Sequence, residues 1–342
     1  MAHSGPMTGL PEPRGETSAA LLRALAGPPR RLPPIALPED DPLVGEDATL
    51  SLYLTYELHY RGLPGTDDGW EWEPSLLALR RSLEERFEAA LRDRLGPPDA
   101  EGPAPEAMDL ALRAVVEADD APSVSTYIER RAPLAQALEF LVHRSAYQLK
   151  EADPHSWALP RLSGPPKAAL VAIQADEYGG GRADRIHAEL FARALAAVGL
   201  NPAYGAYLDH IPGVTLSTVN LMSLLGLHRR HRGAIAGHLA AFEMTSSVPN
   251  ARYARGLRRL GFGGDALAFF DEHVEADAVH ENLAAVDLAG GLARQQPELG
   301  PDIVWGARAL VDVEARWSRH LMERWEAGAS SLRVPVGAPA PA

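Results

Sequence analysis

The chain of 342 residues contains no cysteine. Without thiols it cannot form disulfides, thiolate zinc sites, Cys-ligated iron–sulfur clusters or a cysteine nucleophile. Any metal site in this protein must therefore be built from His, Asp and Glu side chains.

Long apolar runs and basic stripes are also missing. No run approaches 18 apolar residues, and the N-terminal sequence lacks the basic and apolar regions of a signal peptide. The formal net charge is −13, and no Lys/Arg stripe is interleaved with aromatic residues, which argues against a nucleic acid partner. We therefore expect a cytoplasmic protein that binds neither membranes nor nucleic acids and acts on a small molecule.

With 46% hydrophobic residues, the chain can bury a large core. Its many Ala, Leu, Arg and Glu residues and its few β-branched runs favour an all-α fold. Stretches rich in Pro and Gly divide it. They predict a leader over 1–44, an accessory helical segment over 45–120, a helical bundle over 121–328 and a disordered tail over 329–342.

Helical periodicity is clear through most of the chain. Turns and helix ends are marked by Pro and Gly. The predicted helices relevant below span residues 75–95, 165–178, 183–198, 201–210, 215–226, 229–245, 269–283 and 301–326.

The helix over 269–283 carries the most informative spacing. His273, Asp277 and His280 stand at i, i+4 and i+7, which places two imidazoles and a carboxylate within an arc of about 60°. These ligand types suit iron, zinc or manganese. Because the helix is acidic elsewhere, the alternative is a solvated face.

Further His and Glu residues lie upstream. Glu177 ends one predicted helix and His187 lies in the first turns of the next, across a triple-glycine break, so that both can point into a shared cleft. Glu243 is a lone carboxylate among apolar neighbours, which is costly unless it is paired or bound to a cation. The alternative is that Glu177, His187 and Glu243 are exposed to solvent and bind no metal. Asp184 is a rival to Glu177, although we expect it to cap the helix that follows the glycines.

The first core helix carries a polar stripe. Glu139, His143, Tyr147 and Glu151 recur every four residues on an otherwise apolar helix. Such a stripe faces either solvent or a polar cavity.

Together the candidates form a set of three carboxylates and three imidazoles from four helices. Helical bundles hold di-iron and di-manganese centres with carboxylate and imidazole ligands of this kind, and six ligands suit two metals better than one. The paired Glu-x-x-His motifs of ferritin-like proteins are absent. The candidate ligands are Glu177, His187, Glu243, His273, Asp277 and His280.

The order of these residues resembles that of the haem-oxygenase-like di-iron oxidases and oxygenases, also labelled iron-containing redox enzymes. In this sequence the pattern is Glu177, His187 ten residues later, and Glu243 about thirty residues before the His-x-x-x-Asp-x-x-His helix. The resemblance covers residues 125–326. Some members add a carboxylate from the first core helix, for which Glu151 is the candidate here and Glu139 the second choice.

This resemblance implies a haem-oxygenase-like bundle that needs no haem. It also implies two weakly held iron ions that react with O₂ to form a peroxo-di-iron(III) species, and N-oxygenation or oxidative C–C cleavage of an amine, amino acid or fatty acid. Accessory helices over 45–120, a homodimer and an unidentified electron donor are further expectations. Side chains such as Tyr147, Tyr178 and Met244 would line the substrate cavity.

Other classes fit less well. A non-catalytic helical scaffold or regulator with a solvated acidic helix is the main alternative. A terpene-synthase-like enzyme would need Asp-rich magnesium motifs on helices, whereas Asp40-Asp41 and Asp119-Asp120 lie in loop segments. Haem oxygenase activity needs only a proximal His, and thiamin-degrading relatives would need a cysteine.

Overall fold

The computed structural model describes residues 9–336, apart from the side chains of residues 275–279. Within this part of the chain the secondary structure is helical and includes no strand. The all-α prediction is therefore confirmed.

The helices are numbered in chain order. The α-helices are α1 Glu16–Leu25, α2 Glu46–Glu57, α3 Pro74–Leu95, α4 Met108–Glu117, α5 Val124–Arg130, α6 Leu134–Gln148, α7 Asp153–Ser156, α8 Gly164–Glu177, α9 His187–Ala197, α10 Gly213–Leu227, α11 Arg232–Met244, α12 Ser247–Arg259, α13 Asp265–Asn282, α14 Gly291–Gln295 and α15 Gly300–Glu326. Short 3₁₀ turns occur at Asp68–Trp72, Pro105–Ala107, Leu159–Arg161, Gly179–Gly181, Ala183–Arg185, Arg229–His231 and Pro297–Leu299, and a π-helix follows α13 at Leu283–Gly290.

The predicted helices agree with the structure to within a few residues, with two differences. Residues 201–210 form turns and not the predicted helix, because Gly205 adopts a left-handed backbone with φ 74° that interrupts helical hydrogen bonding. His187 is the first residue of α9, since the 3₁₀ turn Ala183–Arg185 occupies the segment predicted as its first turn.

Helix α10 lies at the centre of the fold. Every residue from Gly213 to Gly226 is buried, and the apolar side chains point in all directions around the axis. A helix that is apolar all round must be covered on every side. Helix α10 packs against α2, α6, α11 and α15, which places the helices of the bundle around it.

Helices α11 and α15 approach each other closely through two glycines. A Cβ atom on Gly237 of α11 would lie 1.8 Å from the Ile303 carbonyl oxygen of α15. Likewise, a Cβ atom on Gly306 of α15 would lie 2.0 Å from the Ala234 carbonyl oxygen of α11. The two backbones are therefore in direct contact. This contact fixes the position of α11, which carries Glu243 near its end.

A buried ion pair joins the N-terminal helices to the bundle. Glu57, at the end of α2, binds Lys150, and both side chains are fully buried. The Tyr204 hydroxyl donates a hydrogen bond to the other oxygen of Glu57. Removing one partner of such a pair would leave an uncompensated buried charge, so the interaction holds α2 against the segment that follows α6.

The segment after α15 also packs against the bundle over its described part. Ser331 and Leu332 are buried. Glu139 of α6 accepts hydrogen bonds from the Ser331 backbone N–H at 2.8 Å, from the Ser331 hydroxyl at 2.6 Å and from Trp325 Nε1 at 2.8 Å.

The division into domains drawn from the sequence stays a prediction.

Among the described helices, none combines the length and the apolar character needed to cross a bilayer.

The glycine contact leads to a prediction about stability. Replacing Gly237 or Gly306 by Ala forces α11 and α15 apart, and overpacking of this kind costs about 1–3 kcal/mol or more, which exceeds the gain of about 1 kcal/mol in helix propensity. We expect the free energy of unfolding, measured by urea denaturation, to fall in both variants. Gly233→Ala on the same helix is the control, because its Cβ would be no nearer than 3.1 Å to Asp302. Equal stability of all three variants would contradict the close contact.

Candidate metal centre

Four side chains form a first group of potential metal ligands. One donor atom from each residue lies within 4.8 Å of the others, and all four residues are buried. His187 Nδ1 lies 3.0 Å from Glu177 Oε2, and His273 Nε2 lies 3.5 Å from Glu151 Oε2. The group thus combines two imidazoles with two carboxylates, as divalent iron, zinc and manganese sites do.

A second group lies beside the first. It consists of Glu177, Glu243 and His280, whose donor atoms also lie within 4.8 Å of one another and are buried. His280 Nδ1 lies 3.7 Å from Glu243 Oε2 and 3.9 Å from Glu177 Oε1. The chemistry of this group is again imidazole and carboxylate.

Glu177 belongs to both groups through different oxygen atoms. Its Oε2 atom faces His187, and its Oε1 atom faces His280. A carboxylate can bridge two cations by giving one oxygen to each. Glu177 is therefore the residue that the two groups have in common.

The triple-glycine segment brings Glu177 and His187 together. Gly179, Gly180 and Gly181 all have positive φ, between 60° and 80°, which residues with a side chain rarely adopt. A Cβ atom on Gly179 would lie 2.6 Å from the Arg185 carbonyl carbon. The chain can therefore fold back tightly after α8, and the first residue of α9 returns to the last residue of α8.

Glu151 is positioned by a strained turn after α6. The next residue, Ala152, has φ 72°, and among the described residues it is the non-glycine residue with a left-handed backbone. Its carbonyl oxygen accepts a hydrogen bond of 2.8 Å from Gln174 Nε2 of α8, which also donates to Ser156 Oγ at 2.7 Å. Backbone strain of this type persists only where the surroundings enforce it, and it is concentrated at functional sites.

Hydrogen bonds orient two of the three histidines. His273 Nδ1 lies 2.7 Å from the Phe269 carbonyl oxygen, to which it donates, so that Nε2 carries the lone pair facing Glu151. His280 Nε2 lies 3.0 Å from Asp176 Oδ2, which leaves Nδ1 facing Glu177 and Glu243. Such outer contacts select the tautomer and ring orientation of metal-binding histidines.

The electrostatics of the centre favour a bound cation. Burial raises the pKa of Glu151 and of Glu243, and the charge of Glu177 raises both further. Burial lowers the pKa of His280, but its hydrogen bond and attraction to Glu243, with contributions from Asp176 and Glu177, outweigh this and raise the pKa to about 9. A divalent cation would stabilise the ionised carboxylates and replace the proton of His280.

Little open space lies among these side chains. A gap of about 10 Å³ is lined by Tyr147, Phe242 and Ser246 together with the carboxylates and His273. This volume corresponds to about one water molecule or ion. Burial raises the pKa of Tyr147 well above its usual value, and the charges of Glu151, Glu177 and Glu243 raise it further, so the phenol keeps its proton at neutral pH.

The structure brings five of the six candidate ligands together: Glu177, His187, Glu243, His273 and His280. It adds Glu151, the candidate from the first core helix. The side chain of Asp277 lies outside the described residues. The role of each residue as a ligand stays a prediction.

Two details of the sequence interpretation are wrong. Glu139 is not in the centre, since it binds Ser331 and Trp325 on another side of α6. Asp184 is exposed and pairs with Arg182, and no side-chain bond caps α9. His273 and His280 share a helix, and their donor atoms fall into different groups.

Asp176 and Gln174 were not identified from the sequence. Asp176 precedes Glu177, and its adjacency is a signal that could have suggested a second carboxylate near the site. Gln174 lies one turn before Glu177 on α8, and a buried amide at that spacing is a weaker signal. No feature of the sequence pattern indicated the left-handed conformation of Ala152.

The raised pKa of Glu151 leads to a prediction about metal-free protein. A group whose pKa is higher in the folded than in the unfolded protein stabilises the fold at low pH. This stability is lost as the pH rises through the folded-state pKa. Glu151→Gln removes this loss, so the metal-free variant should unfold at a higher temperature than the parent at pH 7.5, and the difference should shrink towards pH 4. Added Mn(II) should stabilise the variant less than the parent.

The measurement is thermal unfolding after chelation. Glu298→Gln, at an exposed position, is the control, and it should change neither the unfolding temperature nor the stabilisation by Mn(II). A metal-free Glu151→Gln protein that is less stable than the parent at pH 7.5 would contradict the electrostatic account.

Comparison with known proteins agrees with this chemistry. Residues 138–315 match the profile of a family described as iron-containing redox enzyme, and this range spans just over half of the chain. It contains the six described residues of the two groups. No curated protein gives a significant match. The chain belongs to the family of iron-containing redox enzymes, which have a haem-oxygenase-like helical fold.

Proposed function

We propose that the protein is a non-haem di-iron oxidase or oxygenase that uses O₂ to oxidise a small organic molecule. The family supports an oxidoreductase that contains iron. The observation that carries the finer proposal is the pair of overlapping ligand groups with Glu177 in common. Each group offers at least one imidazole and two carboxylates, so each has the donors for one iron ion.

The donor set fits two iron ions better than other cofactors. A single structural zinc needs four ligands, whereas the described residues alone supply six. Carboxylate and neutral imidazole ligands are those used by non-haem iron proteins. A haem needs one axial histidine, so it would make no use of the buried carboxylates of Glu151, Glu177 and Glu243.

The chain's own residues would organise the centre before iron binds. Phe269 and Asp176 hold His273 and His280 in the required orientation, so little reorganisation is needed. Gln174 holds the turn that follows Glu151. A cation held by His280 would take the place of the proton on this imidazole, so the affinity for iron should decrease at low pH.

The surroundings favour controlled oxidation. When bound, two iron ions supply the electrons and open coordination positions that reduction of O₂ requires. The buried side chains exclude bulk water from the centre, and Tyr147 keeps a phenolic proton beside the carboxylates. An electron donor from outside the chain is part of the proposal, because the chain contains no cysteine for a redox disulfide or iron–sulfur cluster.

Iron binding tests the proposal. We expect the protein to take up about two Fe(II) ions per chain under anaerobic conditions, and to give a transient visible absorption after mixing with O₂. His273→Ala and Glu177→Gln should each lower the iron count, with the larger loss for Glu177→Gln because this side chain serves both groups. Iron content is measured by a colorimetric assay and the transient by stopped-flow absorption.

Glu139→Gln provides a matched control, since Glu139 is a carboxylate of α6 that contacts Ser331 and not the centre. It should keep both irons and the transient. Full iron loading of the Glu177→Gln and His273→Ala variants would refute the assignment. Absence of iron from the parent would favour the alternative of a helical scaffold.

A further inference from the structure

Helix α12 and the end of α5 share a surface that is rich in arginine. Five of its six arginines are exposed, and Arg252 is half-buried. The six residues, which form the arginine surface, are Arg130, Arg131, Arg252, Arg255, Arg258 and Arg259. The whole chain has a formal net charge of −13, so this surface differs in sign from the molecule that carries it.

Ion pairs neutralise only part of the arginine surface. Glu129 of α5 lies 2.5 Å from Arg255 and 4.0 Å from Arg252, measured from its two oxygens to the Nε atoms. Asp271 of α13 accepts hydrogen bonds of 2.8 and 2.7 Å from Arg258. Two carboxylates therefore serve three of the six arginines.

The other three arginines make no ion pair among the described residues. They are Arg130, Arg131 and Arg259. Arg259 donates hydrogen bonds to the carbonyl oxygens of Ile128 and Ala132, at 2.8 and 2.7 Å. The Arg131 guanidinium lies 5.4 Å from the centroid of the Tyr127 ring. Neither contact cancels a full charge, so six guanidinium groups and their two paired carboxylates leave an excess of four positive charges.

The arginines of α12 follow one face of that helix. Arg252, Arg255 and Arg259 stand at i, i+3 and i+7, which places them within an arc of about 60°. Val248 lies one turn before Arg252 on the same face, and 58% of its side chain is exposed. The face therefore offers an apolar contact beside a row of positive charges.

The arginine surface lies close to the candidate metal centre. Helix α12 packs directly against α13, which carries His273. Tyr253 of α12 is buried, and its ring centroid lies 6.1 Å from that of Phe270. The next centroid distances are 5.2 Å from Phe270 to Phe269 and 4.2 Å from Phe269 to His273. Three ring contacts thus lead from the arginine-bearing helix to a candidate metal ligand.

We propose that the arginine surface docks an acidic protein that donates single electrons to the metal centre. Opposite charges would steer the two proteins together and set their orientation. Carboxylates of the donor can pair with Arg130 and Arg131 without breaking an ion pair that the chain already makes. Electron transfer weakens steeply with distance, so a donor is most effective where packed side chains lead directly to the metal. The role of the partner as a reductant rests on the proposed function.

One electron moves in each encounter. The reduced donor loses one electron, and one Fe(III) ion gains it and becomes Fe(II), so two encounters reduce the pair. No bond forms or breaks between the two proteins. The donor protein is thus the co-reactant that the proposed oxidation of a small molecule requires.

The charge distribution favours a small acidic protein over an extended polyanion. A nucleic acid or an anionic membrane presents negative charge over a wide area, which the chain's own net charge of −13 would repel outside the arginine surface. A small acidic protein contacts only the docking area. The attraction is therefore not opposed by the remaining surface to the same extent.

Binding to the metal-free full chain tests the docking surface separately from iron. The probes are two acidic electron carriers, a plant-type [2Fe–2S] ferredoxin and a flavodoxin, each labelled and followed by fluorescence anisotropy. We expect at least one to bind, and its affinity to fall at least about tenfold between about 0.02 and 0.3 M NaCl because salt screens exposed charges. Absence of binding by both carriers at the lower salt concentration would overturn the proposal.

Charge reversal locates the surface. Arg130→Glu/Arg131→Glu should weaken carrier binding at least about tenfold, and neither arginine has an ion-pair partner in the described structure to lose. The matched control is Arg30→Glu/Arg31→Glu, because these exposed arginines are also consecutive and lie in the N-terminal segment that contacts α3. Both double variants change the net charge equally. Equal binding by the two variants would refute the site.

Comparison ligands distinguish a protein partner from a polyanion. They are a DNA duplex of about 20 base pairs and vesicles that contain phosphatidylserine. We expect both to bind more weakly than the better carrier protein. Tighter binding of either ligand that is lost in Arg130→Glu/Arg131→Glu would assign the surface to a polyanion and overturn the proposal.

Reduction of iron-loaded, oxidised protein measures electron delivery. With reduced ferredoxin in an anaerobic stopped-flow experiment, the rate should fall at least about tenfold in Arg130→Glu/Arg131→Glu and stay near that of the parent in the control variant. The small uncharged reductant duroquinol should reduce all three proteins at equal rates. Equal rates with ferredoxin would contradict electron delivery at this surface.

The outcomes separate this proposal from the proposed function. If a carrier binds at the arginine surface but the protein takes up no iron, the proposed function and the electron-transfer role both fail, and only the docking surface stands. If iron binds and neither carrier does, the docking proposal alone fails.

Discussion

The structure of the centre depends on the burial of three carboxylates beside three imidazoles. Glu151, Glu177 and Glu243 are removed from water in the interior of a helical bundle, where ionised groups are unstable without compensation. Neighbouring histidines supply part of this compensation, and the raised pKa values of Glu151 and Glu243 indicate that it is incomplete. Cations shared through Glu177 would supply the rest, which connects the instability of these groups to metal binding.

The rest of the fold supports this arrangement. The contact between α11 and α15 at Gly237 and Gly306 fixes the helix that ends near Glu243. The triple glycine after α8 lets His187 return to Glu177, and the turn at Ala152 directs Glu151 inward. After α13 the chain continues as a π-helix that packs against α8, which joins the helix of His273 and His280 to the helix of Glu177. Such π-helical segments are frequent at functional sites.

Much of this could be predicted from the sequence, because helical spacing and ligand chemistry are local properties. The seven-residue separation of His273 and His280 indicated a shared face, and the lone carboxylate at Glu243 indicated a need for compensation. The choice between Glu151 and Glu139 depended on where α6 ends and on the left-handed Ala152, which have no periodic signal. The contact of Asp176 with His280 depends on tertiary packing, which one sequence does not reveal.

The central claim is that Glu177 bridges two iron ions, and anomalous diffraction from crystals loaded with Fe(II) tests it most directly. Data collected at the iron absorption edge should show two peaks, one on each side of the Glu177 carboxylate. One peak should lie next to His273 Nε2 and the other next to His280 Nδ1. A single peak, or peaks that do not contact Glu177, would contradict the account.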